Sequence, residues 1–154
     1  MEASSPGLVL ASLAAMTEVL IATDSDAVFA EVDAALVDES TSIERVRSGQ
    51  EVAGRVAAAT PDLVILDLQI GNMGGIAACL HLHHEAGAER LPDVPVLMLL
   101  DRQADVFLAR RSGADGWVVK PLDAFSLRRA ATAILEGGGT AAEERALAGE
   151  VNPA

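Results

Sequence analysis

Residues 61–68 read Pro-Asp-Leu-Val-Ile-Leu-Asp-Leu, a run of aliphatic side chains from Leu63 to Leu66 that ends on a carboxylate, Asp67. An unbroken apolar run is the pattern of a strand buried on both faces, because a strand with one wet face would alternate. An unpaired carboxylate among Ile65, Leu66 and Leu68 would carry a desolvation cost of about several kcal/mol. From the residues alone two readings stay open. Either the strand ends there and Asp67 caps a turn, or Asp67 stands in a cleft at the strand's carboxyl end and does chemistry.

Similar runs lie on both sides of it, at residues 18–22, 42–46, 96–100 and 116–119. The run Ser42-Ile43-Glu44-Arg45-Val46 alternates and carries charges, which predicts an edge strand; the others are expected to be central. Helical spacing fills the gaps. Val28, Val32, Ala35 and Leu36 share a face behind an Asp26 cap. Residues 48–59 are Ala-rich and stop at Pro61, residues 74–86 run on to Gly87, and residues 101–113 end on Gly113. Residues 123–139 start from an Asp123 cap, with Phe125, Leu127, Ala131, Ile134 and Leu135 expected inward, and stop at Gly137-Gly138-Gly139. Strand and helix in alternation, joined by connections too short for hairpins, predict an α/β fold: a doubly wound, five-stranded parallel sheet with helices on both faces. In such sheets ligands gather at the carboxyl ends of the strands. Asp24, Asp67 and Lys120 each sit just past an apolar run.

The chain has 154 residues, 51% hydrophobic and 22% charged, which is the composition of one globular domain. Its formal net charge of -12 argues against nucleic acid and anionic membrane surfaces as partners. One cysteine, Cys79, rules out an internal disulfide and any multi-cysteine metal site, and suits a cytoplasmic location. The apolar stretch from Leu8 to Met16 has no Lys or Arg before it and is too short to span a bilayer. Residues 1–17 are therefore expected as a flexible N-terminal extension, 18–136 as the domain, and 137–154 as a C-terminal tail, mobile or forming a short frayed helix. His81, His84 and Glu85 fall on one helical face, but a solvated face explains them better than a metal.

Two carboxylates and a lysine at one sheet edge could hold a hard divalent cation and a phosphoryl group. Magnesium takes oxygen ligands and keeps its waters, and a lysine would neutralise the remaining charge. Turn-capping carboxylates fit the same residues.

"PDLVILDLQIGNMGG" and "SGADGWVVKP", with "RSGQEV" between the second strand and second helix, carry a family resemblance. From about Thr17 to Glu136 the chain resembles the CheY-like receiver domain of two-component response regulators. The resemblance implies that Asp67 is the phosphoacceptor, that Asp24, Asp67 and the backbone carbonyl of Gln69 are ligands for Mg2+, and that Lys120 contacts the phosphoryl group ahead of a cis bond to Pro121. It implies no catalytic residues of an enzyme. Upstream it implies a sensor histidine kinase or phosphotransfer protein, and downstream a protein partner reached through the fourth helix, fifth strand and fifth helix. Self-association as a homodimer is left open.

Four positions depart from that family. The adjacent acids after the first strand are Thr23-Asp24, which removes one carboxylate and predicts weak magnesium binding. The switch hydroxyl at the end of the fourth strand is Leu100, followed by Asp101, a carboxylate expected to repel phosphate. The switch aromatic is Trp117. The expected function is that of a stand-alone receiver phosphorylated on Asp67 in a phosphorelay. The alternative is a pseudo-receiver, an adaptor or dimerisation module with little or no phosphorylation. A flavodoxin-like cofactor-binding protein is disfavoured, since no phosphate-cradling glycine loop is present.

Overall fold

The computed structural model describes residues 16–151. The expectation for residues 1–15, and for the last three residues of the tail, lies outside them. Strand β1 is Thr17–Ala22, so it takes in the last residue expected in the extension. The chain continues through α1 (Asp26–Leu36), β2 (Thr41–Val46), α2 (Val52–Ala58), β3 (Leu63–Asp67), α3 (Gly75–Gly87), β4 (Val96–Leu100), α4 (Val106–Ser112), β5 (Gly116–Val119), α5 (Ala124–Leu135) and α6 (Thr140–Val151). Short 3-10 turns, Gly49–Glu51 and Gln103–Asp105, lead into α2 and α4.

All four strand pairings are parallel, in the order β2-β1-β3-β4-β5. Because side chains alternate across a strand, the central strands feed two cores. Leu66, Met98 and Leu100 face one side, with Val52, Cys79, Leu82 and Ala109 from α2, α3 and α4. Ile65, Leu97 and Leu99 face the other, with Val32, Leu127 and Ile134 from α1 and α5. Every residue of β3 and β4 is buried. Each such aliphatic side chain contributes about 1.5–3 kcal/mol, which offsets the ordering entropy of the sheet.

Several local expectations need correction. The N-cap of α1 is Ser25, whose side chain accepts from the Val28 amide at 3.2 Å. Asp26 stands one place later and pairs with Arg45 and Arg47. Phe125 and Leu135 are 68% and 41% exposed, because the buried stripe of α5 is Leu127, Ala131 and Ile134 and both fall outside it. Strand β5 is an edge strand despite its apolar sequence. The Asp123 cap is as expected, accepting from the Ser126 amide at 2.9 Å. Gly113 ends α4 in the left-handed region at φ 86°, which glycine alone adopts without steric cost.

Candidate functional site

Parallel pairing in register brings the carboxyl ends of β1, β3, β4 and β5 to one edge of the sheet, and with them Thr23, Asp24, Asp67, Leu100, Asp101 and Lys120. Asp67 is the last residue of β3 and only 2% exposed. Each of its oxygens is already engaged. Oδ1 accepts from Lys120 Nζ at 2.7 Å and from the Gln69 amide at 3.2 Å. Oδ2 accepts from the hydroxyl of Thr23 at 2.7 Å. Thr23 is fully buried, and its oxygen in turn accepts from the Ser25 amide at 3.1 Å. The carboxylate that the sequence left unexplained is thus paired with an ammonium and hydrogen-bonded at both oxygens, as a buried charge must be.

Lys120 directly follows β5, ahead of a cis bond to Pro121. Its ammonium bridges two carboxylates, Asp67 at 2.7 Å and Asp101 at 3.1 Å. Burial pulls the pKa of this ammonium down, but the bonds to Asp67 and Asp101 together outweigh it and leave the group above the ordinary 10.5. The second oxygen of Asp101, Oδ2, is buried without a hydrogen-bond partner. Asp101 does not simply repel, as expected: it occupies the lysine. Two carboxylates share one ammonium, so the site is net negative before any phosphoryl group arrives.

Asp24 is exposed and accepts from the Gly71 amide at 3.1 Å. Gln69 is exposed in the loop after β3, and its amide bonds back to Asp67. An ion reaching Asp67 would share its oxygens with the Thr23 hydroxyl and the Lys120 ammonium, with Asp24 the one acid after β1. Among the described residues no three His, Cys, Asp or Glu side chains group as ligands, which makes a weak set for magnesium. Leu100 is fully buried in the core facing α2, α3 and α4, where it offers no hydroxyl. Trp117 is half-buried against the same core, with the Arg110 guanidinium 5.7 Å from its ring.

The backbone around Asp67 is held by contacts that only glycine permits. A Cβ on Gly75, the first residue of α3, would lie 2.6 Å from the Asp67 carbonyl oxygen. One on Gly49 would meet the Met73 carbonyl oxygen. The turn at Gly49 and Gln50 donates to Gly71 and Asn72, pinning the loop after β3. In that loop Asn72 and Met73 hold positive φ values of 50° and 73°, the kind of local strain that a functional loop retains.

A match to the response regulator receiver domain covers residues 19–132 of this geometry. The chain belongs to that family. Among curated relatives the receiver is 33% identical over 109 residues to the DNA-binding response regulator MtrA of Mycobacterium tuberculosis, covering 69% of this chain and 45% of the relative. It is 26% identical to the transcriptional regulatory protein AfsQ1 of Streptomyces coelicolor, covering 80% of this chain and 53% of the relative. The chain spans about half the length of these relatives. Among solved structures, the signal receiver domain of a signal transduction histidine kinase from Syntrophus aciditrophicus superposes with a TM-score of 0.69 at 28% identity, covering 79% of this chain and 91% of that one. The chemotaxis response regulator CheY4 of Vibrio cholerae shares the fold, with a TM-score of 0.67 at 24% identity over 76% and 97% of the two chains. Receivers are signalling modules, and an aspartyl phosphate with magnesium beside it is typical of the family.

Asp67 and Lys120, expected at one sheet edge, lie 2.7 Å apart. Thr23, expected only as a missing acid, is a hydrogen-bond donor to Asp67; a buried hydroxyl needs a partner, but which one depends on the register between β1 and β3.

Proposed function

We propose that this receiver signals by protein contact and accepts a phosphoryl group on Asp67 only slowly, from a sensor histidine kinase or phosphotransfer protein in the cytoplasm. The observation that carries this is the closed network Thr23–Asp67–Lys120–Asp101, in which no oxygen of Asp67 is free of a donor. For transfer, an Asp67 oxygen attacks phosphorus while the bond to the donor's leaving group breaks. Converting the carboxylate to an acyl phosphate adds about one further negative charge to a site that is already negative. At the end of β4 no hydroxyl receives it, since Leu100 stands there, so little energy links phosphorylation to rearrangement.

In this reading the output surface is the face formed by α4, β5 and α5, where Phe107 and Phe125 are 57% and 68% exposed. Exposed aromatics are what a protein partner buries. The net charge of -12 supports a protein over DNA as the partner of this domain, whatever other regions its relatives use for DNA. Among the described residues no helix is long and apolar enough to cross a membrane.

A second reading, ordinary phosphorylation of Asp67, is favoured by one contact, the 2.7 Å bond from Lys120. Intact mass after incubation with acetyl phosphate and magnesium separates the two, with Asp67→Asn as the blank. Gain of one phosphoryl mass over hours or not at all supports the proposal; gain within minutes, absent in Asp67→Asn, supports ordinary phosphorylation.

A further inference from the structure

After α5 the chain turns through Gly137, Gly138 and Gly139 and lays α6 beside the start of the edge strand β5. Gly139 is buried at φ 107°, and a Cβ there would lie 2.6 Å from the Asp115 carbonyl oxygen. The entry point of α6 is therefore fixed tightly, and the Ala141 amide donates to that same carbonyl at 3.0 Å.

Beyond this first turn the attachment changes character. None of residues 140–148 is buried, and Leu147 is 60% exposed. By contrast α5 buries Leu127, Ala131 and Ile134. What ties α6 to the body is a two-pronged ion pair, Arg110 Nε and a terminal nitrogen donating to the two oxygens of Glu144 at 2.8 Å each. Arg110 belongs to α4 and also lies over Trp117. One arginine thus joins α4, the edge strand and the C-terminal helix. Between α6 and α5 remains an open groove of about 420 Å³, floored by Trp117 and Val119 and rimmed by Arg129 and Glu143.

We propose that α6 is a displaceable strap over the edge of β5, latched by Arg110 and Glu144, which gates access to the face around Trp117. The proposal rests on the reading that α4, β5 and α5 form the output surface, but the strap itself is tested without a partner. With no side chain buried among residues 140–148, the described part of the helix contributes little packing, so it opens below the global unfolding free energy. A helix that merely blunts a sheet edge would be part of the cooperative fold. An exposed ion pair also weakens with salt, whereas a packed helix does not.

The test is amide hydrogen exchange on the full chain, read separately in α5 and α6, with acrylamide quenching of Trp117, the sole tryptophan. In the wild type, amides of α6 should exchange well before those of α5, and faster still at high salt. Glu144→Gln should speed α6 exchange by about two- to fivefold, the range for an exposed ion pair, and raise quenching of Trp117. The charge swap Arg110→Glu with Glu144→Arg should return α6 exchange toward the wild-type rate. Exchange of α6 in step with α5, unmoved by salt and by Glu144→Gln, overturns the strap. Labelling of Asp67 does not enter these readouts, so the strap and the slow-phosphorylation reading fail independently.

Discussion

The hydroxyl of Thr23 and the ammonium of Lys120 hold opposite oxygens of Asp67, and each makes a separate prediction. Thr23→Val keeps the shape but leaves a buried carboxylate oxygen without a donor. It should lower stability by about 1–3 kcal/mol in urea unfolding. Thr23→Asp restores the second acid, and calorimetric titration should then find tighter magnesium binding than in the wild type. For Lys120 the folded-state pKa lies above the ordinary 10.5. Its contribution is thus complete below that value and is lost as pH rises through the folded pKa. Wild-type stability should therefore fall above about pH 10.5, and the same fall should be smaller in Lys120→Met. Asp67 and Lys120 were legible in the sequence because each follows an apolar run. The work of Thr23 and Asp101 was not, because a hydrogen-bond partner across neighbouring strands depends on register, which no local pattern states.

Among the secondary elements, α3 and β5 show what local patterns can and cannot settle. The glycines ahead of α3 read as turn punctuation, yet Gly75 is required for another reason: its Cα runs against the backbone of Asp67. Gly75→Ala should destabilise the fold by about 1–3 kcal/mol through overpacking, measured by urea unfolding. If the cost is near zero, the loop after β3 yields more easily than the contact implies. The strands were readable from their aliphatic runs, and the Asp123 and Gly113 signals marked helix ends correctly. The edge position of β5 was hidden, since Trp117, Val118 and Val119 look like a central strand. Its residues are only partly covered, by neighbours that include α6, and nothing in Gly116-Trp117-Val118-Val119 announces that cover. Likewise Phe125 fits a helical stripe on paper, but the stripe that meets the sheet starts at Leu127.

For the whole molecule, the doubly wound sheet follows from five strand-forming runs, the central ones buried, separated by helices, and the family from two motifs at its carboxyl edge. Function is less directly encoded, because it depends on charge summed over residues far apart in the chain. With Asp67 and Asp101 sharing Lys120 and only Asp24 after the first strand, magnesium should bind weakly in calorimetry; tight stoichiometric binding abolished by Asp24→Ala would show that the Thr23 substitution costs little. The central claim is that the site is closed by its own side chains. It is tested most directly by the rate at which acetyl phosphate and magnesium add a phosphoryl mass to the intact protein, compared between the wild type and Asp101→Ala, with and without Leu100→Thr. Because Leu100 is fully buried, the double variant is compared at a temperature where it remains folded. The account predicts slow or undetectable labelling of the wild type, faster labelling of Asp101→Ala, and a further gain with Leu100→Thr. Rapid labelling of the wild type at Asp67, accompanied by a clear conformational change, would contradict it.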